Sequence, residues 1–370
     1  WGMNMFKAVK DPNQISRLVL RGYKSIAECD LELGRLNVLI GANGSGKSNL
    51  IGFFRLISRI LDHQLQTAVG LAGGPDALLH FGRKHTEELS AEMYFGSSGY
   101  RFNLRPTQDN RMMFAREALW SQMHGDCPPV SGHFESCADE PQGSSGIYAH
   151  VIPTMRSWRL YHFHDTSSSA LVKQIHNIND NEFLRDDARN LAAFLLRLKN
   201  HHNEQYQRIV KAIRLVAPFF GDFHLRPTVN HQERIQLEWT EPGQDEPFSA
   251  SALSDGTLRF VCLATVLLQP KPFVPTTVLI DEPELGLHPF AISVLAGLMK
   301  SAAQEHQLII STQSVELVNE FDAEDLIVVD KRDGQSLFTR LDVDALKEWL
   351  SEFSLGDLWK KNLLGGRPGR

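Results

Sequence analysis

Residues 41–48 read GANGSGKS and follow directly on the apolar run Leu36-Asn37-Val38-Leu39-Ile40. The spacing G-x-x-x-x-G-K-S constrains the local fold more than any other stretch of the chain. Glycines at 41, 44 and 46 let backbone N–H groups turn inward and ring a phosphate chain without Cβ obstruction. In such a loop Lys47 reaches the β- and γ-phosphates, and the Ser48 hydroxyl ligates Mg²⁺. The stretch that follows, KSNLIGFFRLISRIL, repeats apolar residues at Leu50, Phe53, Phe54, Ile57 and Leu61, which is helical spacing. Strand, loop and helix together aim a helix N-terminus at an anion. Gly41, Ala42, Asn43, Gly44, Ser45, Gly46, Lys47, Ser48 and Asn49 are therefore the expected lining of a nucleoside triphosphate site.

A second acidic motif fits the first. In TTVLIDEPELGLHP, Val278, Leu279 and Ile280 predict a buried strand ending at Asp281-Glu282. An aspartate at a strand's carboxyl end can hold Mg²⁺ through water, and the adjacent glutamate can orient and deprotonate an attacking water. A third piece, SALSDGTLRF, offers Ser254 as N-cap of the apolar helix TLRFVCLATVLLQ. Gly256 there would let the first helical N–H groups approach an anion.

The chain has 370 residues, enough for one large or two ordinary domains. Its apolar content of 42% and charged content of 22% are those of a globular protein. No apolar run approaches the roughly 20 residues of a membrane span, and the start WGMNMFKAVKDP lacks the pattern of a signal peptide. Cysteines 29, 127, 137 and 262 show no framework spacing, which points to a reducing cytoplasm. A net charge of −6 leaves room only for local basic faces. One candidate carries Arg101, Arg105, Arg111 and Arg116; the other carries Arg197, Lys199, Arg208, Lys211 and Arg214. Either could track a phosphate backbone or form a solvated surface.

Along the chain, ISRLVLRGYKSIAECDLELGRLNVLIG predicts short strands with a turn at Arg21-Gly22. ELSAEMYFG and YRFNLRP predict antiparallel strands, residues 120–150 a long loop, and residues 181–217 two helices. From 250 onward helix and strand alternate, as in a parallel α/β core, and a hairpin closes around Asp333-Gly334. The expected fold class is α/β: a P-loop head with a mixed sheet and an antiparallel lobe, plus an inserted, mainly helical lobe. The head would combine residues 1–119 with 246–370, and residues 120–245 would form the insertion.

With these motifs assembled, the chain resembles the ABC-type ATPase superfamily, specifically its SMC, RecF and OLD-like group, and within it the short prokaryotic ATPases without a long coiled coil. The resemblance rests on GANGSGKS, LSDGTLR, VLIDEPELGLHP and IISTQS. It extends to LRGYKSI, WRLYHFHDTSSSA, RDDARNLAAFLLRL, LVAPFF and SLGDLWKKNLLGGRP, and so covers nearly the whole chain. It implies ATP and Mg²⁺ as cofactors, with Ser48 and Asp281 on the metal. Glu282 is the implied base, assisted by Lys47. It also implies a homodimer in which Ser254, Asp255 and Gly256 of one copy cap ATP held by the other.

Two departures stand out. The switch position, commonly histidine, is Gln313, which can hydrogen-bond but cannot carry a proton, so slow or partner-stimulated hydrolysis is expected. No glutamine-loop residue is assignable, since neither Gln64 nor Gln66 falls at a recognisable strand end. The group further suggests a DNA-related process such as phage defence or repair, with double-stranded DNA and a separately encoded nuclease or effector as partners. A transporter-type nucleotide-binding subunit and a regulatory assembly protein that never touches DNA are the alternatives. Three smaller signals fit other readings. His124, Cys127, His133 and Cys137 could bring four zinc ligands together, but they match no standard zinc spacing and read rather as a solvated loop. His162 and His164 of HFHD read as packing or hydrogen-bonding groups near the nucleotide. Asp342 and Asp344 read as a turn and a helix cap.

Overall fold

Apolar runs bounded by glycine-rich turns become strands here, and the computed structural model describes residues 11–122, 125–126, 129–138, 148–229 and 231–366. The chain divides into two compact units. One comprises Trp1–Trp158, Thr276–Leu279 and His306–Arg370, and the other Arg159–Pro275 and Ile280–Glu305.

The first unit holds β1 (Arg17–Tyr23), β2 (Ile26–Glu32), β3 (Leu36–Ile40), β4 (Leu89–Phe95), β5 (Ser98–Pro106) and β6 (Met112–Ser121). Later in the chain come β7 (Thr277–Asp281, of which 277–279 belong to this unit), β8 (Gln307–Thr312), β9 (Leu326–Arg332) and β10 (Gln335–Arg340). An antiparallel sheet runs in the order β2-β1-β4-β5-β6. The predicted pair of antiparallel strands is β4 and β5, in register from Leu89↔Leu104 to Phe95↔Ser98. In β4, Leu89, Ala91, Met93 and Phe95 face the core, the alternation expected of a sheet solvated on one side.

The second sheet is different in kind. β3 lies between β9 and β8 and is parallel to both, while β10 folds back antiparallel on β9. All five residues of β3 are buried, as in a parallel sheet whose two faces are both covered. Its one polar member, Asn37, is satisfied: Nδ2 donates to the Gly34 and Leu308 carbonyls at 2.8 and 3.1 Å, and Oδ1 accepts from Gly34 N–H at 2.8 Å. The hairpin at Asp333-Gly334 forms as predicted, with φ of +50° and +79° at its two central residues. The turn predicted at Arg21-Gly22 falls instead at Lys24-Ser25, between Tyr23 and its partner Ile26. Gly22 stays within β1 for a steric reason, since a Cβ there would lie 2.4 Å from the Glu88 carbonyl oxygen.

Helices α1 (Lys47–Leu61), α2 (Leu65–Ala72) and α3 (Tyr148–Ser157) complete the amino-terminal part of this unit. α1 buries Leu50, Phe53, Phe54, Ile57 and Leu61, the apolar stripe read from the sequence, and Phe54 meets Trp158 edge-on at 5.1 Å. Gln66 of α2 donates to the Met112 and Phe134 carbonyls at 2.8 and 2.6 Å, so it fastens α2 to β6 and its vicinity.

The second unit is mainly helical: α4 (Leu191–His201), α5 (Asn203–Val216), α6 (Asp255–Leu268) and α7 (Pro289–Ala302) pack in succession beside short strand pairs. The helical stretch predicted from 181 begins at 191. Before it, the Asn190 side chain holds a loop, donating to the Asp180 and Phe183 carbonyls at 2.9 and 2.8 Å. Most of the second basic stretch serves this fold. Lys199 pairs with Asp222 at 3.3 Å, Arg214 donates to the Gly221 carbonyl at 2.8 Å, and Arg197 donates to Asn181 at 3.1 Å while lying over the Phe273 ring. Arg208 and Lys211 are exposed. In the first stretch Arg105 pairs with Glu88 at 2.7 Å and Arg111 with Asp109 at 2.6 Å.

After β8 the first unit continues with α8 (Val315–Asn319), α9 (Val343–Leu350) and α10 (Leu355–Lys360). Asp342 caps α9 as read from the sequence, accepting from Asp344 and Ala345 N–H at 3.1 and 3.3 Å.

Candidate nucleotide site

The loop after β3 is shaped by what lies behind it. A Cβ at Gly41 would stand 2.2 Å from the Val329 carbonyl oxygen, and one at Gly46 would stand 2.0 Å from Ser336 Oγ. The β9–β10 hairpin therefore excludes side chains at both positions. Gly44, with φ +75°, faces open space and is the glycine whose conformation, rather than its packing, is demanded. The three glycines thus divide into two that let the hairpin back the loop and one that opens its front.

A directed chain of hydrogen bonds fixes the loop to the hairpin. Asn49 Nδ2 donates to Ser25 Oγ at 2.6 Å, Ser25 and Ser336 hydroxyls meet at 2.6 Å, and Ser336 Oγ donates to the Ser45 carbonyl at 2.6 Å. Asn49, expected to line the nucleotide, uses its side-chain amide for this bracing. Ser25 and Ser336 carried no sequence signal, because their role depends on a contact across 311 residues.

Lys47 is buried, and its ammonium donates to the Gly41 and Ala42 carbonyls at 2.6 and 3.0 Å. Asn43, Gly44 and Ser48 are exposed along the loop front, while Ser45 is buried and its hydroxyl has no partner among the described residues. The N-terminus of α1 has no side-chain cap and no acidic residue in its first turn. Uncapped first-turn amides, an adjacent ammonium and an open glycine face are the donor set for a polyphosphate. A hydroxyl at Ser48 suits a hard divalent cation bound beside it. Gln313 follows β8, whose last residue Thr312 is in register with Ile40, so Gln313 is level with the loop's first glycine. Gly41, Ala42 and Gln313 line one cleft of about 260 Å³, together with Val315, Trp359, Lys360 and Gly366.

The remaining predicted site residues belong to the second unit. Ser254 caps α6 as read, accepting from Thr257 N–H at 3.2 Å, and Asp255 beside it is exposed with Lys173 at 3.8 Å. Gly256 has a packing role that sequence reasoning missed: a Cβ there would lie 2.3 Å from the Gly286 carbonyl oxygen. Arg259 is a second omission. It is buried, donating through Nε to the Phe163 carbonyl at 2.8 Å, through Nη2 to His164 at 3.2 Å, and through Nη1 to Leu285. Burial holds its guanidinium below the ordinary arginine range. One cation thus ties LSDGTLR, the segment after Glu282 and HFHD together. His164 Nε2 also donates to the Asp281 carbonyl at 3.0 Å, in keeping with the hydrogen-bonding role read for HFHD. Asp281 and Glu282 are half-buried, and Glu282 adopts φ +46°, a left-handed conformation unusual for a side chain of its size.

The histidine–cysteine loop reads differently in three dimensions. His124 and Cys127 lie outside the described residues, while His133 and Cys137 converge on the buried carboxylate of Glu117. Glu117 Oε1 accepts from the Tyr100 and Ser136 hydroxyls, each at 2.5 Å. Its Oε2 accepts from Cys137 N–H at 2.8 Å and contacts His133 Nε2 at 2.9 Å. The part of the loop read as solvated is therefore held by one carboxylate. Cys29 and Cys262 are buried free thiols, each pushed up to about 12 by burial.

A protein family described as "AAA domain, putative AbiEii toxin, Type IV TA system" matches residues 36–319. No curated protein matches the chain. Among solved structures, an Smc head bound to the C-winged helix domain of ScpA is 18% identical, with a TM-score of 0.59 over 90% of this chain and 99% of that one. The Pyrococcus furiosus Smc head with an extended coiled coil, bound to the C-terminal domain of ScpA, is 16% identical at TM-score 0.56, over 91% and 98%. The Pyrococcus yayanosii Smc head with a coiled coil and joint is 14% identical at TM-score 0.53, over 91% and 99%. At such identities the likeness shows the fold. No helix among the described residues is long and apolar enough to cross a membrane.

Proposed function

The chain belongs to the AbiEii-like AAA family and has the fold of an SMC head, and on that premise we propose that it binds ATP with Mg²⁺, closes as a dimer around it and hydrolyses it. The observation that carries this reading is the uncapped first turn of α1, with the Lys47 ammonium held on the loop carbonyls of Gly41 and Ala42. Amides of residues 44–48 bind the β-phosphate region, and Lys47 neutralises the β- and γ-oxygens. Mg²⁺, held by Ser48 directly and by Asp281 through water, would neutralise phosphate charge. Glu282 takes the proton of the attacking water, and Gln313 hydrogen-bonds that water or the γ-phosphate. Ser254, Asp255 and Gly256 of a second copy cap the nucleotide. Without a protonatable switch residue, turnover of the isolated protein stays well below about 10 s⁻¹.

The SMC-head fold, and a family whose description includes a toxin of a toxin–antitoxin system, support a role in a DNA-related process such as phage defence or repair, in the cytoplasm. The Smc heads in two of the matched structures are bound to ScpA domains, and by analogy a separately encoded effector is the expected partner here. Because Lys199, Arg214, Arg105 and Arg111 are engaged within the fold, any double-stranded DNA contact would draw on other cations, Arg208 and Lys211 among them.

Two variants test the ATP reading. Lys47→Ala should abolish binding of a fluorescent ATP analogue. Glu282→Gln should keep binding, lose hydrolysis and shift the protein to a dimer in sedimentation with ATP. Unaltered turnover in Glu282→Gln would remove Glu282 as base. A strictly monomeric protein under saturating ATP would remove the composite site.

A further inference from the structure

The carboxylate of Asp255 stands in an awkward place for the function proposed above. It lies in the first turn of α6, within LSDGTLR, and its side chain is 67% exposed. The helix N-terminus favours it there, since an acidic group complements the dipole. A terminal phosphate brought to the same turn by a second copy meets a like charge. Like charges a few ångström apart repel most where an interface excludes water between them.

One cation answers that charge. Lys173 ends a short 3₁₀ turn, Leu171–Lys173, which packs on the 3₁₀ turn Ala250–Ala252 just before Ser254. Its side chain is only 7% exposed, and its ammonium lies 3.8 Å from Asp255 Oδ1. The ammonium also donates to the Thr166 carbonyl at 2.5 Å, and the Lys173 carbonyl accepts from Gln236 Nε2 at 3.0 Å. Lysine is rarely buried so deeply without an anionic partner. Two other charged groups face the pair. Asp165 has its carboxyl held below the usual range by the Ser167 hydroxyl and amide, with Lys173 adding to the effect. Arg259, four residues along α6, lies in the field of Asp255. Its N–H groups are committed to the Phe163, His164 and Leu285 carbonyls, which leaves the Asp255 carboxylate to Lys173.

We propose that Lys173 is a positioning residue of the composite site: it neutralises Asp255, so that the first turn of α6 can approach the terminal phosphate held by a second copy. The lysine acts through Asp255 and makes no contact with the nucleotide. This inference rests on the dimer reading above. It gives the segment HDTSSSALVK, which ends at Lys173, a task that the nucleotide motifs do not. It also predicts a coupling: the need for Lys173 disappears once the charge of Asp255 is removed.

The test is sedimentation with ATP and Mg²⁺ in a Glu282→Gln background, reading the protein concentration at half-dimerisation. Lys173→Met keeps the aliphatic stem and removes the charge, and it should raise that concentration about 5- to 30-fold. Adding Asp255→Asn should bring the value back to within about threefold of the background. Asp255→Asn alone leaves the lysine unmatched and should lower the value, an effect that shrinks with added salt. A double variant as weak as Lys173→Met would mean that the lysine only clips its loop through Thr166 and Gln236. That result, or an unaltered Lys173→Met, overturns the inference. Should Lys173→Met fail to fold, Asp255→Asn alone decides, and a value at or above that of the background overturns it. If the background protein binds a fluorescent ATP analogue yet stays monomeric, the dimer reading falls and takes the inference with it.

Discussion

Gly256 and Gly286 touch backbone to backbone: a Cβ on the first would stand 2.3 Å from the carbonyl oxygen of the second. Gly256 opens α6 within LSDGTLR, and Gly286 lies four residues beyond Glu282. Contact at this distance makes the signature glycine a structural requirement before any nucleotide arrives. Gly256→Ala should lower the thermal midpoint by about 3–8 °C, the result of overpacking against rigid backbone. Gly297→Ala is the control, because it lies in the interior of α7 with nothing within 4 Å. There alanine should raise the midpoint slightly, through helix propensity. Equal effects at the two sites would show that the Gly286 contact is immaterial.

Glu282 combines a proposed catalytic carboxylate with a backbone at φ +46°. Left-handed backbone costs an L-residue about 1–2 kcal/mol, and glycine escapes that cost. Comparing two variants that both lack the carboxylate isolates the backbone term. Glu282→Gly should unfold later than Glu282→Ala by about 1 kcal/mol, the reverse of their order in ordinary structure, and both should be inactive in phosphate release. Calorimetry that ranks alanine above glycine would refute a strained backbone at this position.

The parts legible in the sequence were those whose cause is local. The strand–loop–helix of residues 36–61, the Asp333-Gly334 turn and the caps at Ser254 and Asp342 each depend on neighbours a few residues away. Gly22 misled because glycine marks both turns and close approaches, and here Glu88 supplied the approach. The helical start at 181 misled because Asn190, nine residues on, hydrogen-bonds the loop out of the helix. Arg259, Ser336 and Gly366 were invisible for one common reason. Their partners lie far away in the chain, as Phe163 does from Arg259 and Ala42 from Gly366, and no periodicity encodes such a pairing.

Glu117 accepts two hydrogen bonds at Oε1 and two at Oε2, so both oxygens are saturated by Tyr100, Ser136, Cys137 and His133. Replacing it with glutamine swaps one acceptor for a donor facing buried donors. Glu117→Gln should therefore cost about 2–4 kcal/mol in urea unfolding. A chelator should leave the parent's midpoint unmoved, since the carboxylate needs no ion to be satisfied. A fall of several degrees on chelation would turn Glu117, His133 and Cys137 into metal ligands instead.

Asp325 gives the fold a pH dependence of unusual sign. Burial pushes its carboxyl up to about 6, opposed by the hydrogen bond from Asp322 N–H and by the Arg340 charge, while the Asp322 and Glu324 carboxylates add to the rise. The unfolded chain releases the same proton near about 3.9. Between these values the native state binds more protons than the unfolded state, so this group's contribution to stability declines as pH rises from about 4 to about 6 and is level above. Each pKa unit is worth about 1.4 kcal/mol, which puts the whole effect at about 1–3 kcal/mol for a half-buried group. Asp325→Asn removes the titration and keeps an acceptor for Asp322 N–H, which the native carboxylate meets at 3.4 Å. The stability of the variant relative to the parent should therefore grow between pH 4.5 and pH 7. A difference that is constant with pH, or that shrinks, would mean the carboxyl titrates in its ordinary range.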